Sequence, residues 1–129
     1  MRGLWLMLAW LAAAPVAAAD GAPDSAGEFN RDMDASMAQM MRDMHLAPTR
    51  NDPDRDFLAM MIPHHEGAVD MARLVLVHGH DPLVRRLAEE IIASQQTEIA
   101  AMRARLTILD KGTDSTPGGF PAIHGTRGE

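Results

Sequence analysis

Three stretches of the chain repeat apolar residues at helical spacing, and none alternates at the two-residue period of a strand. Over about Asn30–Leu46 the large apolar side chains are Met33, Met37, Met40, Met41 and Met44, at i, i+4, i+7, i+8 and i+11. At about 100° per residue they form a stripe roughly 100° wide. The helix stops ahead of Pro48, and APTRN reads as a loop. A second helix opens at Asp52-Pro53, a capping carboxylate followed by proline at the first helical position, and runs to about His78 ahead of Gly79. Its inner face should hold Phe57, Leu58, Met61, Ala68, Ala72 and Val75. Asp81-Pro82 opens a third helix in the same way, with Leu83, Leu87, Ile91, Gln95, Glu98, Met102 and Leu106 down one side to about Leu109. The short HGHD turn between the last two makes them antiparallel neighbours. In that register His64 faces Glu98, and Met60 and Met61 face Met102. The expected fold is all-α, an up-down helical bundle of three main helices. A fourth would come from the N-terminal segment or from a dimer partner.

The ends bound the domain. Residues 1–19 begin Met-Arg, continue as an apolar run too short for a comfortable membrane span, and close on Ala17-Ala18-Ala19. That is the pattern of a cleaved secretory signal peptide, so the protein is expected in the periplasm or otherwise exported, with no membrane attachment after cleavage. Residues 20–29 read as a flexible leader, 30–110 as the bundle and 111–129 as a disordered tail.

Charge and composition narrow the chemistry. The net charge is −6, and the signal segment carries only Arg2, so the remainder stands at −7. An acidic chain without a basic block is a poor partner for nucleic acid or anionic lipid. There is no cysteine, so a soft metal ion would be held by methionine sulfur or histidine nitrogen. Of eleven methionines nine lie outside the signal segment, where there is no Trp and no Tyr.

The densest cluster is MMIPHHEGAVDMA (60–72). Pro63 lies inside the helix, where proline removes the donor to the Ala59 carbonyl at a cost of about 3 kcal/mol. Gly67 weakens the helix again nearby, and unfavourable local choices gather at functional sites. Met60/His64 and Met61/His65 are i, i+4 pairs, each able to share an ion on one face. Two thioethers and two imidazoles suit copper, Cu(I) above all and Cu(II) in second place. Glu98 is placed to accept the second ring N–H of a bound histidine, and Met102 to add a sulfur. Met37, Met40, Met41 and Met44, with His45 four residues after Met41, form a second donor set, or else a soft packing or docking stripe. His78 and His80 flank the turn and are expected in solvent; His124 is incidental.

Other chemistries fail on spacing. Asp52, Asp54 and Asp56 resemble a calcium loop, but Phe57 stands where glycine is required and Pro63 where the bidentate Glu belongs. There is no Glu-x-x-His, no zincin motif, no phosphate loop and no nucleophile elbow. Catalysis is therefore not expected.

DFLAMMIPHHEGAVDMA (56–72) followed by LAEEIIASQQTEIAAM (87–102) resembles the small exported proteins of the domain of unknown function 305 family. That resemblance implies a ferritin-like helical bundle, and some members bind copper in the bacterial periplasm. Carried over by position, the family's histidine pair falls on His64 and His65, its flanking methionines on Met61 and Met71, and its second-helix motif on Gln96, Glu98 and Met102. Where many members carry an aromatic late in the third helix, this chain has Arg105-Leu106. The expected function is copper binding for tolerance, storage or delivery to another exported protein. The alternative is a metal-free interaction module docking through its methionine face.

Overall fold

The computed structural model describes residues 24–114; the expected signal peptide, the first residues of the expected leader and most of the expected tail lie outside the described residues. Three helices follow one another: α1 (Ser25–His45), α2 (Pro53–His78) and α3 (Pro82–Asp110). Among the described residues there is no strand, and no helix is long and apolar enough to cross a membrane.

Each helix starts where an aspartate supplies the missing acceptor. Asp52 accepts from the backbone N–H groups of Asp54 and Arg55 at 3.0 and 3.2 Å, and Asp81 from those of Leu83 and Val84 at 3.0 and 2.8 Å. In both cases proline follows directly. Asp24 does the same for α1, accepting from the Gly27 N–H at 3.1 Å. That cap starts α1 at Ser25, so residues 25–29 of the expected flexible leader are helical. At the other end, α3 stops at Asp110, and Asp114 pairs with Arg105, tying down the start of the expected tail.

α2 is the central element. It packs against both α1 and α3, while α1 and α3 do not pack on each other. Between α2 and α3 lies a core of Leu58, Val69, Ile99 and Met102, flanked by Met61, Ile62, Ile92, Leu106 and Leu109. Buried Ala72 and Ala88 allow close approach of the two helices near their turn. This moves the inner face of α3 from the expected line: Ala88 and Ile92 point inward, whereas Leu83 and Leu87 are exposed. On α2, Leu58 and Ala72 are buried as expected, but Phe57 is 55% exposed. A helix packed on two sides has a sector between its neighbours that neither covers, and Phe57 falls in it.

α1 buries no residue completely. Its main foothold is Met40 against Gly67: a Cβ built on Gly67 would lie 2.5–2.7 Å from the Met40 Cγ, Cβ and Sδ. Gly67 is thus a packing notch. The loop after α1 turns at Asn51, with φ +56° in the left-handed region that asparagine tolerates. Arg50 in that loop bridges to Asp110 at the end of α3 at 3.1 Å.

Candidate metal centre

The two adjacent histidines do different things. Consecutive helical residues diverge by about 100°, so they cannot both face the same neighbour. His64 is exposed. His65 turns toward α3, where its Nε2 lies 2.7 Å from a Glu98 oxygen and its Nδ1 2.9 Å from the Met61 carbonyl oxygen. Glu98 therefore meets His65 and not His64, a one-residue correction to the expected register. The two imidazoles stand edge to face with centroids 5.6 Å apart. That separation would fit two imidazoles on one ion, with metal–nitrogen bonds of about 2.0 Å. Both nitrogens of His65, however, already lie against oxygens, Glu98 at one and the Met61 carbonyl at the other, so in this arrangement neither faces open space. Beside it, Glu66 pairs with Arg103 of α3, a second bridge between the two helices.

Donors meet elsewhere. The C-terminal turn of α1 and the N-terminal half of α2 enclose an open cleft of about 680 Å³. Three thioethers, Met41, Met44 and Met60, line it together with the His45 imidazole. The remaining wall is Ala47, Pro48, Thr49, Asp56 and Phe57. The carboxylate of Asp56 is already engaged, accepting the Arg50 N–H at 2.6 Å. The cleft thus presents mainly soft donors beside an aromatic ring. Met41 is 60% and Met60 40% exposed, so the donors lie at the surface.

The pairing of α1 with α2 explains this meeting. Phe29 stacks edge-on against His78 at one end, and Met40 sits over Gly67 further along. Both contacts give one antiparallel register, which sets Met44 level with Pro63 and Met41 within a turn of His64. Met41, Met44 and His45 of the second donor set expected on α1 and Met60 of α2 therefore belong to one neighbourhood, while His64 does not line the cleft.

Other candidates are separated from it. Met102 is buried in the α2–α3 core, and Met61 packs against that core. Met40 is occupied at Gly67 and lines the opposite groove with Glu66, Asp70 and Arg103. Met37 is 41% exposed on α1 and Met71 is half-buried on α2; neither lines the cleft. His78 is not in solvent: its side chain is 13% exposed, edge-on to Phe29 and 3.5 Å from Asp32. His80 is exposed as expected. Among the described residues no three His, Asp or Glu side chains form a metal-holding group. The α2 periodicity puts Phe57 on the inner face; its place in the cleft wall follows from packing that this periodicity does not encode.

The family model described as "Domain of unknown function (DUF305)" matches residues 4–106. "Uncharacterized protein L153" of Acanthamoeba polyphaga mimivirus is 42% identical over 58 residues, which is 45% of this chain and 36% of that protein. The match thus spans about a third of that relative's length.

Proposed function

The chain belongs to the domain of unknown function 305 family, and from its own side chains we propose that it binds copper as cargo, Cu(I) in preference to Cu(II). The observation that carries this reading is the cleft in which Met41, Met44, Met60 and His45 come together. Thioether sulfur is a soft donor that selects Cu(I), imidazole serves either oxidation state, and hard cations would seek oxygen. Met41, Met44 and Met60 are the proposed sulfur ligands and His45 the nitrogen ligand, with exposed His64 one turn on from Met60. His65 is a positioning residue: held by Glu98 and the Met61 carbonyl, it fixes α2 against α3 and so sets the direction of its neighbour His64. Met102 and Met61 belong to packing.

The role is binding for tolerance, storage or delivery to another exported protein, without turnover. The exported setting rests on the residue 1–19 pattern. An anaerobic Cu(I) competition titration against a coloured chelator tests the assignment. A Met41→Leu/Met44→Leu/Met60→Leu variant keeps the apolar volume and removes the sulfurs. It should lose affinity by roughly a hundredfold or more, about 2.7 kcal/mol. Wild-type competition by that variant would remove the cleft from consideration. The exposed Met37, Met41, Phe57 and Met60 favour a second reading, a metal-free docking face. Partner binding indifferent to chelators would support it.

A further inference from the structure

The methionines differ in what covers them. Met102 is buried in the α2–α3 core, and Met40 is held at the Gly67 notch. Met33, Met44, Met61 and Met71 are half-buried. Among the described methionines only Met37, Met41 and Met60 are open, each 40–60% exposed. Two of these three line the cleft, Met41 from α1 and Met60 from α2. Met37 is as open as Met60 but lies outside it. Residues 20–129 hold no Cys, Trp or Tyr, so the thioethers are the side chains most readily oxidised there.

We infer that Met41 and Met60 form a modification site, oxidised to the sulfoxide by hydrogen peroxide, and that this oxidation turns off Cu(I) binding by the cleft while the fold persists. The consequence for metal rests on the copper reading. In the step, a thioether lone pair attacks one peroxide oxygen; the S–O bond forms as the O–O bond breaks. The other oxygen leaves as water with both protons, and the sulfur gives up the two electrons that the peroxide gains. The peroxide must reach the sulfur, so exposure ranks the sites: Met37, Met41 and Met60 react ahead of Met44, Met40 and Met102. The product is a polar group whose oxygen is a hard donor, which Cu(I) does not select. Two of the three proposed sulfur ligands are thereby lost together. The fold has little stake in either one. Neither belongs to the α2–α3 core, and the main foothold of α1 is Met40 against Gly67. Both side chains already stand partly in water, so the sulfoxide oxygen stays hydrated and meets little burial penalty. The open cleft also leaves the sulfoxides within reach of a reductase, whose dithiol removes the oxygen as water and becomes a disulfide.

The test is a mild peroxide titration of the metal-free chain, with peptide mass spectrometry to place each added oxygen, followed by the anaerobic Cu(I) chelator competition. The expected result is oxygen first on Met37, Met41 and Met60, an unchanged helical circular dichroism, and a Cu(I) affinity lower by about tenfold or more. Met37→Leu should lose affinity on oxidation to the same extent, because Met37 does not line the cleft. Treatment with methionine sulfoxide reductases for both epimers, with a dithiol, should restore binding. Unchanged competition by a chain carrying sulfoxide at Met41 and Met60 overturns the switch and leaves the copper reading standing. A Met37→Leu variant that keeps its affinity after the same treatment does so too. Oxygen on Met40 and Met102 as early as on Met41, with loss of the helical signal, also overturns it, since general unfolding then accounts for the change. A reduced chain that does not compete for Cu(I) overturns the copper reading, and the switch with it.

Discussion

Gly67 and Glu98 illustrate how one residue type supports two readings until its neighbours are known. In isolation Gly67 is a helix-weakening choice near the histidines, about 1 kcal/mol worse than alanine. In the fold its missing Cβ is where Met40 sits. Gly67→Ala should therefore destabilise by about 1–3 kcal/mol despite the better helix propensity, read as a lowered urea midpoint. Met40→Ala in the same chain should recover part of that loss, because it removes the obstructing atoms. Glu98 is similar. Its spacing suggests a carboxylate that orients a metal-bound imidazole, but both nitrogens of His65 are engaged. Glu98→Gln should lower stability by about 1 kcal/mol, the value being modest because the Glu98 side chain is 42% exposed. Its Cu(I) affinity should change less than about twofold. A loss of 10–100-fold would return Glu98 to the metal-orienting role.

At the scale of elements, the helices themselves were legible. Asp52-Pro53 and Asp81-Pro82 are capping pairs whose meaning is local, and both helices begin there. The start of α1 was less so, because Asp24 precedes small polar residues that carry no apolar period. The end of α2 depends on a partner from the first turn of α3: the Arg85 guanidinium donates to the Leu76 and Gly79 carbonyls at 2.7 and 2.9 Å. Gly79 itself has φ −78° and makes no left-handed turn. Pro63 is carried within an unbroken α2. Supplying a donor to the Ala59 carbonyl by Pro63→Ala should raise stability by about 1–3 kcal/mol, measured as a higher thermal midpoint. If proline steers His64, Cu(I) affinity falls as stability rises; unchanged affinity would leave Pro63 without a part in binding.

The whole molecule is unevenly held. α2 and α3 share the buried core, while α1 buries no residue fully and contacts α2 alone. α1 should open separately from the rest, so its amides should exchange with solvent well before those around Leu58–Ala72 and Ala88–Met102. A ligand bridging α1 and α2 closes that opening. Each tenfold excess of free ligand over its dissociation constant adds about 1.4 kcal/mol to the bound state. Saturating Cu(I) should thus slow exchange in α1 by orders of magnitude and leave the α2–α3 core nearly unchanged. Equal protection of all three helices without metal would contradict this division.

The sequence by itself determined the helix count, the caps of α2 and α3, their antiparallel turn and the supply of thioether and imidazole side chains, because capping, periodicity and side-chain type are properties of residues and their near neighbours. Only the tertiary structure decided which donors meet. Adjacent His64 and His65 part company because helical geometry sends them to different neighbours. Met102 goes to the core because α3 packs along Ala88, Ile92 and Ile99. Met41, Met44 and His45 join Met60 because Met40 fits the notch at Gly67. That register arises from contact between two helices, and neither helix encodes it alone.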